Sequence, residues 1–434
     1  MIRYIDLFAG IGGIRIGFTS ALEKVGLQSQ CVLSSEIDEN ACRTYEMNFG
    51  EYPSGDVKLI NDIPEFDMML AGFPCQPFSY AGKRKGFGDT RGTLFFEIER
   101  ILEKYRPQAF LLENVRGLKS HDKGKTFETI ISNLNNLGYG THVLVLNSSD
   151  YNVPQNRVRL YILGLLGKTP SMDLSSDFGA ADSHKYKAKS DQVSLFDLGS
   201  SATTCMIKDI LEDEVDEKYY CSNLFTNQLR TAIGDNFAKL HGYRLIDYRG
   251  GQSLHSWELG TRGVCTGNEI AFMNLLLQNR RKHEFGTHQD GKKLSKEQIK
   301  TFYKEPDIDT VIESLKKKGY LKEEFGLFNP TAGNMSFEVF KFLDPESISI
   351  TLTSSDANRL GIVQKNRPRR ITPRECARLQ GFPDSFIINP NDSFAYKQFG
   401  NSVSVPVVEA VISDFVNQNA DALGWMRKEC KKYA

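Results

Sequence analysis

The first 168 residues alternate short apolar runs with amphipathic stretches. The apolar runs that predict strands are YIDLF, CVLSSEI, MMLAGF, AFLLENV, HVLVLN and LYILGLL. Helical spacing of apolar positions predicts helices near Ile14–Val25, near Glu39–Asn48, and over TLFFEIERILEKY and FETIISNLNNLG. This alternation is typical of an α/β fold with a mostly parallel, doubly wound sheet. We therefore predict a first domain over residues 1–168 that binds ligands at the carboxyl ends of its strands.

The pattern changes after Lys168. Residues 169–202 are small, polar and without periodicity, as is typical of a linker. Irregular, glycine-containing sequence follows, and we predict a second, smaller domain over residues 169–350. Within it, a capping box at Ser295 and Gln298 precedes the amphipathic stretch Ile308–Lys318 and an extended segment. This order suits a small winged-helix-like unit.

Ordered patterning returns in residues 351–434. In the segment GNSVSVPVVEAVISDFVNQ, six apolar residues share one helical face, and Pro406 suits the first turn. The chain opens directly on a strand at Tyr4, so no preceding helix covers the sheet there. We expect the C-terminal helix to return to that place, which assigns residues 351–434 to the first domain.

Composition indicates a globular protein of two domains, with 434 residues, 40% hydrophobic and 25% charged. No apolar run approaches the roughly 20 residues of a membrane span, and the start MIRYIDLFAG lacks the features of a signal peptide. We expect a cytoplasmic protein and, from its length and charge balance, a monomer. The eight cysteines lack C-x-x-C spacing and a suitably spaced histidine, so we expect neither disulfides nor a metal site.

Lysine plus arginine equals aspartate plus glutamate at 54 each, so the chain has no strong overall field for nucleic acid. Binding of nucleic acid would need local basic clusters. The candidates are residues 83–85, 280–283, 316–318 and 367–370. Each of them, taken alone, is more simply explained as a solvated helix face or loop.

The segment DLFAGIGG lies where the first strand turns into a helix. Its glycines, Gly10, Gly12 and Gly13, let a ligand approach backbone N–H groups, although a tight structural turn also explains them. The spacing does not match the dinucleotide fingerprint G-x-G-x-x-G. Glu36, at the end of the second strand, is placed to accept from a ribose hydroxyl, and Asp56 from an adenine amine. Either acid alone also reads as a solvated surface residue.

Cys75 lies in GFPCQPFS after the third predicted strand, between two prolines that restrict the direction of the thiol. A lone cysteine is more often an inert core residue. Glu113, in ENV, ends the next strand at the same edge. Because a carboxylate raises the pKa of a nearby thiol, we infer that Glu113 serves the substrate. It could hydrogen-bond a ring nitrogen and make the ring electrophilic to a thiolate.

Two arginines in QNRVR, Arg157 and Arg159, precede the last strand of the first domain. Their guanidinium groups could hold a carbonyl oxygen and a phosphate. A solvated charged face explains the same spacing equally well. Their chemistry therefore depends on whether they reach the edge that carries Cys75.

The segments DLFAGIGG, GFPCQPFS, ENV, QNRVR, TPRECARLQGFP and QFGNSVSVP, in this order, closely resemble the bacterial DNA cytosine-5 methyltransferases. The resemblance covers residues 1–168 and about 350–434. It implies a Rossmann-like methyltransferase fold, S-adenosylmethionine as cofactor and double-stranded DNA as substrate. It also implies that residues 169–350 form a target recognition domain, and that GKRKGFGDTRG is a loop that closes over DNA.

The same resemblance implies a role for each matching residue. The cofactor would be held by Phe8, Gly10, Gly12, Gly13, Glu36, Asp56 and Asn401. Cys75 would attack C6 of a flipped cytosine and Glu113 would contact its N3, while Arg157 and Arg159 steady its carbonyl and the active-site loop. Ile37 stands where relatives often carry an aromatic residue that stacks on adenine.

Three other functions compete with this one. An RNA cytosine methyltransferase could use the same motifs, but the long middle segment favours duplex DNA, which must be read from outside. A catalytically dead DNA-binding repressor is disfavoured by the intact set of Cys75, Glu113 and Arg157. A nicotinamide oxidoreductase is disfavoured by the glycine spacing. Family habit predicts an accompanying restriction endonuclease, with an orphan or phage-borne enzyme as the alternative.

Overall fold

The computed structural model describes residues 1–74, 94–176, 205–248, 250–286, 292–331 and 337–425. The chain divides into two compact units. Unit 1 comprises Met1–Ile210, Ile348–Ala357 and Pro373–Ala434, and unit 2 comprises Leu211–Ser347 and Asn358–Thr372. These bounds differ from the predicted ones, because unit 1 continues past residue 168 and a stretch of the C-terminal segment lies in unit 2.

The described residues form short strands and helices in both units. The strands are β1 (Ile2–Leu7), β2 (Ser29–Ser35), β3 (Met68–Gly72), β4 (Ala109–Val115), β5 (Tyr139–Asn147), β6 (Val158–Leu166), β7 (Arg244–Leu245), β8 (Ser253–Leu254), β9 (Leu294–Ser295), β10 (Leu321–Glu324), β11 (Leu327–Pro330), β12 (Lys341–Phe342), β13 (Leu360–Gln364) and β14 (Arg367–Arg370). The α-helices are α1 (Gly13–Lys24), α2 (Glu39–Phe49), α3 (Leu94–Tyr105), α4 (Lys125–Asn136), α5 (Asn223–Ile233), α6 (Gly267–Asn279), α7 (Lys296–Ile299), α8 (Ile308–Lys318), α9 (Pro373–Arg378), α10 (Asp392–Asn401), α11 (Val405–Gln418) and α12 (Ala420–Leu423).

Unit 1 is built on a six-stranded sheet of order β2-β1-β3-β4-β6-β5. The first four strands of that order are parallel, whereas β6 runs antiparallel to both of its neighbours. One face packs against α1 and α11, and the other against α3 and α4. The predicted α/β fold with a mostly parallel, doubly wound sheet is confirmed.

The reversed direction of β6 decides which residues meet. Its first residues lie beside the last residues of β4, so that Arg159 is paired with Val115 and Tyr161 with Glu113. Residues that precede β6 therefore reach the same edge as residues that follow β1, β2, β3 and β4. The QNRVR segment lies at this edge for that reason.

The C-terminal helix α11 packs against α1 at a point of close backbone approach. A Cβ atom on Gly17 would lie 2.7 Å from Cβ of Val408 and 2.8 Å from the carbonyl oxygen of Val405. Beside this contact, Glu409 accepts hydrogen bonds from Ser20 and Lys24. The C-terminal segment thus returns to the sheet with which the chain begins.

Replacing Gly17 by alanine is expected to destabilise unit 1 by about 1–3 kcal/mol, because the added methyl group overpacks the contact between α1 and α11. Chemical denaturation of the full chain measures the change. Gly267→Ala is the matched control, since a Cβ atom there meets nothing within 4 Å and alanine favours a helix. Equal denaturation midpoints for the two variants would contradict the close packing.

Residues 169–176 are anchored to unit 1, although the sequence predicted that a linker begins there. Asp414 accepts the backbone N–H groups of Asp173 and Leu174 at 3.0 and 2.9 Å. Met172 and Leu174 pack against the hydrophobic core. Two apolar side chains and a buried carboxylate thus hold a segment whose composition is polar overall. The remainder of the predicted linker, residues 177–202, lies outside the described residues.

Unit 2 contains an antiparallel sheet of order β10-β11-β9 and a five-stranded sheet of order β14-β13-β12-β7-β8. The chain order α6, β9, α7, α8, β10, β11 surrounds one hydrophobic core that includes Phe272, Leu294, Leu315 and Phe328. A helix, a strand, two helices and a hairpin are the order of a winged helix. The predicted capping box of Ser295 and Gln298 is present at the start of α7.

Among the described residues, only Asp392–Gln418 is long and apolar enough to pass a test for a membrane span. The most apolar part of this segment is 72% buried inside the protein. The segment consists of the two helices α10 and α11. The core helices of folded proteins pass the same test. Within the described part of the chain, no group of three His, Cys, Asp or Glu side chains could hold a metal ion.

Candidate active site

The carboxyl edge of the unit 1 sheet opens into a cavity of about 620 Å³. Residues that follow β1, β2, β3 and β4 line it, together with the start of β6 and residues 397–403. The lining includes the predicted site residues Phe8, Gly10, Gly13, Glu36, Asp56, Glu113, Arg157, Arg159 and Asn401. Gly12 is not part of the lining, and Cys75 lies outside the described residues.

The glycine turn after β1 serves both packing and access. A Cβ atom on Gly12 would lie 2.2 Å from the Phe49 ring, and one on Gly13 would lie 2.7 Å from Oγ of Ser402. By contrast, a Cβ atom on Gly10 would meet none of the described residues within 4 Å. Gly10 therefore presents open backbone to the cavity, whereas Gly12 and Gly13 are required by close packing. The sequence did not separate these roles.

Phe8 has a left-handed backbone conformation, with φ of 55°, and it lines the cavity. An aromatic residue rarely adopts this conformation, and the surrounding structure must hold it there at a cost of about 1–3 kcal/mol. Strain of this kind is concentrated at binding and catalytic sites. The left-handed conformation of Phe8 turns the chain immediately before the glycines.

Glu36 connects the end of β2 to the glycine turn. One carboxylate oxygen accepts the N–H of Gly10 at 2.9 Å, and the other accepts the N–H groups of Ile37 and Asp38, each at 2.8 Å. A carboxylate has about four acceptor positions, so three backbone bonds leave one for a ligand. Ile37 lines the same cavity and is 76% exposed.

Asp56 and Asn401 line the cavity from two further segments. Asp56 caps a short 3-10 turn by accepting the N–H of Lys58 at 3.0 Å. Asn401 is the last residue of α10, and its side chain is exposed. The sequence did not single out Phe73, Leu94 or Val403, which supply apolar surface. They lie within apolar runs that resemble any core segment, so no separate signal marked them.

A buried polar network lies behind the glycine turn, and the predicted site residues do not include it. Asp6 on β1 is fully buried, with one carboxylate oxygen 3.4 Å from the Tyr45 hydroxyl, which accepts from Arg15 at 2.8 Å. The other oxygen has no partner among the described residues. Burial raises the pKa of Asp6 to about 7, and the positive charge of Arg15 opposes that rise. The signal in the sequence was an acid inside the apolar strand YIDLF.

Glu113 lies two residues before the end of β4 and lines the cavity. Its carboxylate is nearly buried and forms an ion pair with Arg159, with 3.2 Å between Oε1 and Nε. Burial raises the pKa of Glu113 because it disfavours the charged form, while Arg159 and then Arg157 lower it. A carboxyl group in this environment can accept or hold a proton at the cavity wall.

Arg157 is buried and bonds to backbone rather than to other side chains. Its guanidinium donates to the carbonyl oxygen of Leu352 at 2.7 Å and to that of Ser402. It thereby ties the 348–357 segment and the end of α10 to the sheet. Its Nε has no partner among the described residues, and it lines the cavity. Burial and the neighbouring Arg159 lower the pKa of Arg157 to about 9.

The chain that leads to Cys75 is tied to the strand that carries Glu113. Gly72 is paired with Glu113 across β3 and β4, and a Cβ atom on Gly72 would lie 3.8 Å from Oε2 of Glu113. The side chain of Asn114 donates to the carbonyl oxygen of Phe73 at 2.9 Å. Cys75 follows Phe73 by two residues, which span at most about 7 Å.

Comparison with known proteins gives a consistent result along the whole chain. The family model for C-5 cytosine-specific DNA methylase matches residues 2–417. The chain is 65% identical over 422 residues to the Type II methyltransferase M.BanI of Aneurinibacillus aneurinilyticus, covering 97% of each protein. It is 63% identical over 414 residues to the Type II methyltransferase M.HgiCI of Herpetosiphon aurantiacus, covering 95% of this chain and 97% of that protein.

The fold is also similar to that of solved structures. The crystal structure of S. pombe Dnmt2 methyltransferase has a TM-score of 0.55 and 19% sequence identity, and the match covers 96% of this chain and 99% of that one. At this identity the likeness concerns the fold alone. The match of the family model and the two Type II methyltransferase relatives show that the chain belongs to the C-5 cytosine-specific DNA methylase family.

Proposed function

We propose that the cavity of unit 1 receives a cytosine flipped out of duplex DNA, with Cys75 as the nucleophile and Glu113 as the group at N3. The chain is a DNA cytosine-5 methyltransferase that uses S-adenosylmethionine. The observation that carries the assignment of residues is the pairing of Gly72 with Glu113. It brings the segment that leads to Cys75 beside Glu113, the one buried carboxyl group of the cavity wall among the described residues.

The cavity fits S-adenosylmethionine, which supplies the methyl group when bound. Its walls combine apolar side chains with carboxylates, as an adenosine with free hydroxyl groups requires. Gly10 offers open backbone, and Glu36 retains one acceptor position for a hydroxyl. We infer that Phe8, Gly10, Glu36, Asp56 and Asn401 hold the cofactor. Gly12 and Gly13 shape the turn.

The residues of this chain supply the activation of the base, because C5 of cytosine is a poor nucleophile. The thiolate of Cys75 adds to C6, and the electron pair of the C5–C6 double bond becomes available at C5. Glu113 protonates or hydrogen-bonds N3 as negative charge develops in the ring. After methylation, loss of the C5 proton and departure of the Cys75 sulfur restore the ring. Only a base outside the helix is accessible to this chemistry.

The two arginines have different parts in this proposal. Arg159 holds Glu113 in place through their ion pair and faces the cytosine carbonyl oxygen. Arg157 acts mainly by tying two backbone segments to the cavity wall, and its free Nε is the group left for the substrate. We infer that unit 2 reads the sequence around the cytosine, because it occupies the middle of the chain predicted for target recognition.

Methyl transfer to DNA tests the proposal. Purified protein is incubated with labelled S-adenosylmethionine and either unmethylated plasmid or a pool of transfer RNA, and bisulfite sequencing maps the product. We expect label only in DNA, at C5 of one cytosine in a single sequence context. Transfer only to RNA would overturn the DNA assignment, and transfer without sequence preference would overturn the role of unit 2.

The relatives named as Type II methyltransferases lead to a cellular role. We infer that the protein is a cytoplasmic monomer that protects DNA from a restriction endonuclease of the same specificity. Plasmid methylated by the purified protein should resist the endonuclease that cuts the mapped sequence, while unmethylated plasmid is cut. Equal cutting of both plasmids would contradict a protective role. Sedimentation of the purified protein measures the oligomeric state.

Replacing Glu36 by glutamine is expected to weaken binding of S-adenosylmethionine by roughly 10- to 100-fold, which corresponds to loss of one hydrogen bond to a charged acceptor. Isothermal titration calorimetry measures the dissociation constant. Glu39→Gln is the matched control, because Glu39 is exposed and pairs with Arg43 one helical turn away. Equal affinity of the two variants would show that Glu36 is not a cofactor ligand.

A further inference from the structure

A basic loop of residues 116–125 follows β4. It contains four cationic residues, Arg116, Lys119, Lys123 and Lys125, against one carboxylate, Asp122. Arg116 comes directly after Val115, which ends β4 and lines the cavity. The loop therefore begins at the rim of the site, in a chain whose overall charge is zero.

Three lysines of the basic loop are available to a ligand. Lys119, Lys123 and Lys125 are exposed, and within the described part of the chain their ammonium groups form no hydrogen bond or ion pair. Two other lysines of unit 1 are engaged in ion pairs. Lys24 pairs with Glu409, and Lys397 with Asp38. The excess of cationic residues over the single carboxylate of the basic loop leaves a local positive field beside the cavity.

The loop has a defined shape in spite of its exposure. Leu118 is fully buried in the core beneath it, and His121 hydrogen-bonds the Thr126 hydroxyl at 2.7 Å. Asp122 and Lys123 have left-handed conformations, with φ of 47° and 56°. The loop also folds back on itself, since a Cβ atom on Gly124 would lie 3.9 Å from the carbonyl oxygen of Lys119.

The backbone conformation adds a second observation. Side chains other than glycine rarely occupy the left-handed region, and two of them in succession are tolerated only where neighbouring contacts hold them. Within the described part of the chain, the Lys123 side chain forms no hydrogen bond or ion pair that would compensate for this backbone conformation. Lys123 is exposed to solvent, as is Lys119.

We propose that the basic loop binds the phosphodiester backbone of duplex DNA next to the flipped cytosine. This inference rests on the proposed function, since it assumes that the cavity receives the base. Ammonium groups are compact point charges that suit phosphate oxygens and carry no base specificity. The loop thereby positions the DNA strand at the rim of the cavity.

A double variant, Lys119→Gln with Lys123→Gln, tests the inference by removing two charges. The matched control is Lys104→Gln with Lys168→Gln, which removes two charges at the opposite edge of the sheet. Lys104 lies in the last turn of α3, before β4 begins, and Lys168 follows the end of β6 beside the start of β4. Dissociation constants for duplex DNA are measured between 50 and 200 mM salt.

The loop variant should reduce the slope of log affinity against log salt by about 1.8, so that its weakening is about tenfold greater at 50 mM than at 200 mM salt. The rate at saturating DNA and the affinity for S-adenosylmethionine should stay at the wild-type values. The control variant should retain the wild-type slope.

Three other outcomes would overturn the inference. An unchanged salt slope in the loop variant would show that the basic loop is a solvated surface that does not contact DNA. Equal losses of DNA affinity in both double variants would show a non-specific effect of charge. A loss confined to the rate at saturating DNA would show that the loop acts in the chemical step. Failure of the proposed function is distinguishable, because wild-type protein would then transfer no methyl group to DNA at any salt concentration.

Discussion

A Cys75→Ser variant is expected to transfer no measurable methyl group to DNA, a loss of roughly 10⁴-fold or more, while its affinity for S-adenosylmethionine stays unchanged. A serine hydroxyl is almost wholly protonated at neutral pH, so it cannot replace a thiolate that adds to C6. Label transfer measures the rate, and calorimetry measures cofactor binding. Together they separate loss of the nucleophile from loss of the fold.

A second measurement identifies the covalent step. Duplex DNA with 5-fluorocytosine at the mapped position should trap wild-type protein as an adduct, because fluorine at C5 cannot leave as the proton does. The Cys75→Ser variant should form no adduct. Cys265→Ser, in unit 2, should retain both activity and trapping. Adduct formation by the Cys75→Ser variant would assign the nucleophile to another residue.

The strands and helices of unit 1 were predictable from the sequence because each is an apolar run or an amphipathic stretch. All six predicted strands are present in one sheet. The direction of β6 was not predictable, since an apolar run such as LYILGLL reads the same for either direction. That direction places Arg159 beside Glu113, so the sequence could name both residues without showing why they meet.

Charge was the least reliable guide to function, because neutralisation depends on residues distant in sequence. Of the basic clusters noticed in the sequence, Lys318 pairs with Glu269 and Arg367 with Glu217, and Arg280 is buried. The cluster at residues 83–85 lies outside the described residues. The basic loop could not be predicted from a cluster of cationic residues in the sequence, because its four cations are spaced along ten residues. Only the fold shows that three of these cations, Lys119, Lys123 and Lys125, are exposed and form no ion pair within the described part of the chain.

The different roles of Gly10 and Gly12 in the glycine turn could be assigned only from three-dimensional packing. Gly12 is needed because Phe49 of α2 lies against it, a contact between segments more than 30 residues apart. Gly10 is needed for open backbone at the cavity. The spacing of the two glycines is the same in either case. Cofactor contact and structural packing therefore could not be distinguished in the sequence.

Replacing Glu113 by glutamine is expected to lower the rate of methyl transfer by about 10²- to 10⁴-fold, the usual contribution of a positioned acid. Glutamine keeps the shape of the side chain and a hydrogen bond to N3 but cannot transfer a proton. Single-turnover rates measure the chemical step. Glu103→Gln is the control, since Glu103 is exposed on α3. Equal rates for Glu113→Gln and wild type would exclude the acid role.

The pH profile tests the same assignment with a defined sign. Burial raises the pKa of Glu113, and Arg159 and Arg157 oppose that rise. If the protonated carboxyl acts at N3, the wild-type rate falls as pH rises through this raised pKa, because the carboxylate has no proton to donate. The glutamine variant has no titrating group there, so its low rate should lack this alkaline fall.

Arg159→Gln should move the alkaline fall of the wild-type profile to higher pH. Removal of the nearest positive charge disfavours the carboxylate, so Glu113 then keeps its proton over a wider range. A rate that instead rises with pH through this range, with the rise moved to higher pH in Arg159→Gln, would show that the carboxylate is the active form. Because the variant also loses a contact proposed for the cytosine carbonyl, its rate should drop at every pH. The position of the fall, rather than its height, therefore reports the coupling between Arg159 and Glu113.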